Sequence, residues 1–250
     1  ISYLKGIQMA YEFDWTVLIT YQQLLIDGFM MTLKLSIIGI FFSFIIGSII
    51  GLMRVSSNFM LSLSGTYYVE FFRNIPLIVQ MFFIYFSFTL TNAFPVLETF
   101  GNMIGVHNHN EFFSALIALI AYTSTYIAEA VRAGIQSLPK GQMEAAKTIG
   151  MNYIQSMYYV VFPQAIKMVW GPITSQFLNL IKNSSLAMTI GVAELTFQTQ
   201  EIDSLTFRGF EAASAVTILY LFLTLATAYL MSLVNKYALI KTESNTGARR

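Results

Sequence analysis

Long, nearly uninterrupted apolar runs divide this chain, at about residues 28–53, 75–92, 112–135, 166–190 and 211–235. Each is close to or above the ~20 residues a helix needs to cross hydrocarbon, so the pattern predicts an all-α protein with five transmembrane helices. The second run is the shortest and opens at Pro76, tolerated in a first helical turn because its missing N–H would have no partner there. The fourth is interrupted by GPITSQ and KNSS. Between the third and fourth runs, residues 141–165 read GQMEAAKTIGMNYIQSMYYVVFPQA, a charged, amphipathic stretch of helix-forming residues. Met143, Ala146 and Ile149 fall on one helical face while Glu144 and Lys147 point elsewhere, and Tyr153, Met157 and Val160 repeat the pattern. This predicts two short helices bent at Gly150, where positive φ costs glycine little. Pro163 is expected to end the second and start the return to the membrane.

Composition agrees with lipid as the solvent. Hydrophobic residues make up 56% of the chain and charged residues 11%, with a mean hydropathy of +0.62, far from the usage of soluble domains. There are no cysteines, which excludes a disulfide framework and thiolate metal sites. The net charge of +1 says little, but its distribution says more. With five crossings, Arg54, Arg73, Arg132, Lys140, Lys147, Lys167, Lys236, Lys241, Arg249 and Arg250 share one side, against Lys5 and Arg208 on the other. The positive-inside bias puts the 141–165 loop and the C-terminus in the cytoplasm and the N-terminus outside. The connection 93–111, without Lys or Arg, agrees. The chain opens on Ile1, which allows a natural start upstream, and the YEFDW stretch does not read as a cleaved signal peptide. The expected organisation is an extracytoplasmic segment 1–27, a membrane domain 28–237 with its loop at 139–163, and a cytoplasmic tail 238–250 whose TESNTGARR end is polar and frayed. No internal repeat is visible.

The spacing Glu144-Ala145-Ala146, Gly150, Pro163 resembles the EAA signature of the membrane subunits of ABC importers, with Val160-Val161-Phe162-Pro163 where that signature ends I-x-L-P. Arg73, Pro76, Leu77, Val79 and Gln80 resemble the R-x-x-P-L-x-V-Q segment of the polar amino-acid branch of these permeases. Residues 132–142 (RAGIQSLPKGQ) and 179–186 (NLIKNSSL) point to the same branch, and the similarity covers roughly 28–237. The resemblance implies a type I ABC importer membrane domain in the bacterial cytoplasmic (inner) membrane. It implies as partners a second permease subunit, identical or homologous, two cytoplasmic ATPase subunits, an extracytoplasmic substrate-binding protein and membrane lipid. Glu144, Ala145, Ala146, Gly150 and Pro163 would form the ATPase-coupling loop, its first short helix entering a cleft on the ATPase. On periodicity alone, the same helices could lie on the lipid surface instead. The branch is similar to permeases for glutamate and aspartate, with glutamine or basic amino acids as the alternative.

Polar residues inside the runs supply the remaining candidates. Gln176, Asn179, Lys182 and Asn183 share a helical face, and a lysine in hydrocarbon costs about 2.5–3.5 kcal/mol on insertion scales. Lys182 therefore lines a wet path where it attracts a substrate carboxylate, or it belongs to interhelical hydrogen bonding or snorkels to the surface. Lys34 is the other cation well inside a run, and Glu129 the acid well inside one. Glu129 lies three residues before Arg132, a spacing that favours a structural ion pair. Arg73 reads either as a snorkelling arginine or as a gating and positioning residue. Gly47 and Gly51 form a small-xxx-small pair that allows close helix approach. His107 and His109 lack supporting ligands, so no metal site is expected. There is no GxxxxGK[ST], nucleophile elbow or HExxH and no basic-aromatic patch for nucleic acid. The chain is thus expected to need no cofactor of its own, with ATP bound and hydrolysed by the partner. An ion channel, which would conduct without ATP, and an intramembrane enzyme, which would need paired catalytic groups at matching depth, are the rivals from other classes.

Overall fold

The computed structural model describes residues 11–247, without the side chains of residues 140 and 237–247. Lys5, Arg249 and Arg250 of the charge reading lie outside the described residues, as does the side chain of Lys241. All regular structure among the described residues is helical.

A single turn, α1 (Thr16–Thr20), leads into α2 (Gln22–Arg54), whose 33 residues reach ~50 Å. Helix α2 is apolar round its circumference, so large side chains such as Ile37, Phe41 and Ile49 stay exposed while Gly39, Ser43, Gly47 and Gly51 are buried. That inversion is expected where lipid replaces water. Asn58 then caps α3 (Phe59–Arg73), its side chain accepting from the N–H groups of Met60 and Leu61. Helix α4 (Leu77–Ser87) follows at 96° to α3. The short α5 (Leu90–Ala93) lies at the end of the second run, and α6 (Pro95–Met103) falls within the 93–111 connection. Helix α7 (His109–Gln136) is the central element, with Phe112, Leu116, Leu119 and Ile127 packed between α2, α4 and α10.

Two short helices come next, α8 (Lys140–Thr148) and α9 (Tyr153–Ser156), with α9 passing through a π-helical turn at Met157–Val161 straight into α10 (Phe162–Asn183). A 3₁₀ segment, Ser184–Ile190, ends at Gly191 with φ +88°, and α11 (Leu195–Thr206) and α12 (Gly209–Gly247) complete the described residues.

Among the described residues, three helices are long and apolar enough to cross a membrane: α2, α7 and the Gly209–Lys236 part of α12. The bent α3–α4 pair makes a fourth if counted as one span. The second apolar run is therefore not one straight helix, since the 11 residues of α4 reach only ~16 Å. Helix α10 has the length, 22 residues or ~33 Å, but its Gln, Asn, Ser and Lys positions keep it out of that group. KNSS marks the change from α to 3₁₀ geometry. Helix α12 continues without a break past residue 238, where the tail is expected to begin, to Gly247.

A candidate coupling and translocation site

The loop bends where expected. Gly150 has φ +86°, and a Cβ there would meet nothing within 4 Å, so backbone conformation alone selects glycine. Backbone N–H groups of Gly150 and Met151 donate to the carbonyls of Lys147 and Ala146, closing α8 at 3.0 and 3.1 Å. Asn152 and Gln155 then form a reciprocal capping box that starts α9.

Two expectations for the loop need correction. Pro163 does not end the second helix; it occupies the first turn of α10, inside one continuous run from Tyr153 to Asn183. A proline removes one N–H and crowds the carbonyl four residues back, and the π turn at Met157–Val161 lies where that carbonyl, Tyr159, must be accommodated. The apolar face of α8 also splits. Ala146 is buried at 3% exposure, whereas Ala145 and Glu144 are exposed and Ile149 is 72% exposed. Ala146 thus faces its own protein, and the free surface at the bend consists of Glu144, Ala145, Ile149 and, across the glycine, Ile154.

At the foot of this loop the expected Glu129–Arg132 pair is present, with Arg132 Nε donating to Glu129 Oε1 at 3.1 Å. Arg54, from the end of α2, grips the other oxygen of the same carboxylate. Sequence spacing could not reveal Arg54 because it lies 75 positions away. Arg132 also donates from Nη1 to Gln136 Oε1 at 2.6 Å. Glycine lets these helices meet: a Cβ at Gly47 would stand 2.7 Å from the Ser124 carbonyl oxygen, and one at Gly51 2.9 Å from that of Ala128.

The α3–α4 bend gives the Arg73–Gln80 segment a physical meaning. Proline at 76 cannot donate to the Phe72 carbonyl four residues earlier. Gln80 supplies the missing donor, its Nε2 reaching Phe72 O at 2.7 Å and Ile75 O at 2.9 Å from a buried position. Arg73 does not snorkel freely; its guanidinium carbon lies 5.3 Å from the Tyr126 ring centroid, a cation–π arrangement on α7. Tyr126 in turn shares a 2.9 Å hydroxyl contact with Tyr122.

Of the four path candidates, Lys182 lines a groove of about 360 Å³ whose other polar lining comprises Ser185, Thr196, Thr199, Thr217 and Tyr220. Gln176, Asn179 and Asn183 are half-buried on α10 and do not join that lining. Lys182 is exposed and makes no ion pair among the described residues. Lys34, by contrast, is occupied: its Nζ donates to the Gly105 carbonyl at 2.9 Å.

Sequence reading also missed Glu194 beneath the groove. Its side chain is fully buried, accepts from the Phe197 N–H at 2.9 Å to cap α11, and accepts the Tyr220 hydroxyl proton. Burial pushes this carboxyl above its usual 4.5. A glutamate directly before an apolar helix start was the available signal. His109 contacts Asn102 Oδ1 at 3.1 Å, and among the described residues no group of three or more His, Cys, Asp or Glu is placed to hold a metal.

The family model described as binding-protein-dependent transport system inner membrane component matches residues 39–238. The chain is 42% identical to the probable glutamine ABC transporter permease protein GlnM of Bacillus subtilis (strain 168), over 80% of this chain and 86% of that protein. It is 32% identical to the glutamate/aspartate import permease protein GltJ of Escherichia coli (strain K12), over 96% and 100% respectively. A chain from the crystal structure of an amino acid ABC transporter with histidines superposes with a TM-score of 0.75 at 33% identity, covering 91% of this chain and all of that one. A chain of the inward-facing MetNI methionine ABC transporter shares the fold, with a TM-score of 0.69 at 19% identity over 88% of this chain and 98% of that one.

Proposed function

This chain belongs to the binding-protein-dependent transport system inner membrane component family and is the permease subunit of an amino-acid ABC importer; on that premise we propose that it moves acidic amino acids inward by alternating access. It is a multi-pass membrane protein and a transport subunit, with ATP hydrolysis belonging to a partner ATPase. In this reading it forms half of a path in the bacterial cytoplasmic membrane, with a second permease, two ATPase subunits that bind the ATP, and a substrate-loaded binding protein outside. Five crossings with the N-terminus outside complete the arrangement, the α3–α4 pair and α10 being the second and fourth.

The observation that carries the coupling is the unbroken helix from Tyr153 to Asn183. At about 1.5 Å per residue it is a lever of about 45 Å, with the coupling bend at one end and Lys182 at the other. ATPase closure pushing on Glu144, Ala145 and Ile149 would be delivered through that lever to the groove containing Lys182. The other loop residues act differently: Gly150 makes the bend, Ala146 fixes α8 to the chain, and Pro163 follows the π turn in the first turn of α10. Gln176, Asn179 and Asn183 lie along the same lever. Arg73 with Pro76, and Glu129 with Arg132, hold the neighbouring helices in position. Lys182, an unpaired cation in a groove otherwise lined by hydroxyl and apolar groups, favours an anionic solute.

The 42% identity to a probable glutamine permease favours glutamine as the second reading. Uptake of labelled glutamate, aspartate, glutamine, arginine and histidine by vesicles carrying the complete complex, with Lys182→Gln beside wild type, separates the two. Glutamate uptake should dominate and fall at least tenfold in the variant. Glutamine preference with an unaffected variant would select the second reading, and preference for arginine or histidine would reject both.

A further inference from the structure

We propose that the cavity beneath the coupling bend is an anion site that takes a phosphate group, presented either by the headgroup of an acidic phospholipid or as free phosphate. The cavity measures about 380 Å³ and lies between the ends of α2 and α7 and the inner side of the loop, with Arg54, Gln136, Gln142, Tyr153, Met157 and Val161 in its wall. Arg54 is the charged residue of that wall. Its side chain is 10% exposed, and although one terminal nitrogen holds Glu129, its Nε is buried with no hydrogen-bond partner. A guanidinium presents its donors in a fixed fork suited to phosphate, and the second terminal nitrogen of Arg54 makes no hydrogen bond among the described residues.

Local charge points the same way. Two guanidiniums, Arg54 and Arg132, share the single Glu129 carboxylate, leaving one positive charge in excess at the cavity wall. The neutral Gln136, bonded to Arg132, completes the node without cancelling that charge. Apart from Gln142, the remaining wall is apolar and aromatic, which suits a headgroup entering beside its glycerol and first methylenes. An occupant here would touch both the loop and the ends of α2 and α7, and so would hold the loop to the membrane helices. This inference does not depend on which amino acid is carried.

Gln136→Glu is the discriminating change, because it keeps an acceptor for Arg132, leaves Arg54 and Glu129 untouched and removes the excess charge. The complete importer complex is purified, stripped of lipid and re-exposed to vesicles of phosphatidylglycerol or phosphatidylcholine. Retained lipid is counted by native mass spectrometry, and a second arm measures equilibrium binding of radiolabelled inorganic phosphate to the stripped complex. Wild type should retain phosphatidylglycerol selectively or bind phosphate saturably, identifying the headgroup or the free ion as the source. Gln136→Glu, assembled as well as wild type, should lose that binding at least tenfold. Binding in neither arm, or equal binding by Gln136→Glu, would overturn the proposal, and Arg54→Lys, which keeps the charge but removes the guanidinium fork, should lie between the two.

Discussion

A leucine at Gly47 would begin with a Cβ 2.7 Å from both the Ser124 carbonyl oxygen and the Ile127 Cβ, so α2 and α7 would have to separate. Overpacking of that kind costs about 1–3 kcal/mol. Gly47→Leu should therefore lower the thermal midpoint of the purified complex, while the same change at exposed Ile49 of α2 should not. Glu194 offers a prediction of opposite sign. Its carboxyl is raised above 4.5 by burial, so its contribution to stability is fully present below that value and is lost as pH rises through the raised one. Glu194→Gln keeps an oxygen for the Phe197 N–H and removes the buried charge, so the variant should melt higher than wild type at pH 7.5, with the gain shrinking towards pH 4.5. A gain that grows on acidification would contradict this account of Glu194. At this scale, local spacing made some of the site legible: Glu129 and Arg132 sit three apart, and Gly150 had to be glycine. Arg54 on Glu129 and Tyr220 on Glu194 join residues distant in sequence, and no periodicity carries that information.

Among the elements, the α3–α4 bend is the most specific construction. Pro76 breaks the ladder, and Gln80 restores a donor to the Phe72 and Ile75 carbonyls. Gln80→Leu leaves both carbonyls without that donor, at about 1–3 kcal/mol. It should reduce stability by that order and loosen the bend, measurable as faster amide exchange around residue 74; unchanged exchange would remove Gln80 from this role. Apolar run length located α2, α7 and α12 because each is long and continuous. It misread the second run, since a hydropathy run has no direction and the 96° turn at its opening leaves no trace except the proline. The same limit applied at Pro163, which reads as a terminator in sequence but is absorbed by a π turn. Charge and amphipathicity identified α8 and α9 as outside the lipid pattern, but only packing decided that Ala146 turns inward while Ile149 stays free.

At the scale of the whole molecule, a large share of the apolar surface is exposed, including Phe222, Leu225 and Leu230 of α12, as befits a chain with lipid and protein partners. The α2–α7 contact is held by close glycine packing and by the Arg54–Glu129–Arg132 node. In the proposed reading, the continuous helix from Tyr153 to Asn183 moves as a lever between the ATPase side and the groove of Lys182. The most direct test is the initial rate of labelled amino-acid accumulation by proteoliposomes holding the complete importer, with its binding protein outside and ATP inside. Wild type and Ile149→Asp, a charge placed on the exposed bend, are measured together. The lever account predicts ATP-dependent accumulation by wild type and at least a tenfold loss of both uptake and receptor-stimulated ATP hydrolysis in Ile149→Asp, with insertion and assembly unchanged. Accumulation without ATP, or a variant that transports at the wild-type rate, would contradict it.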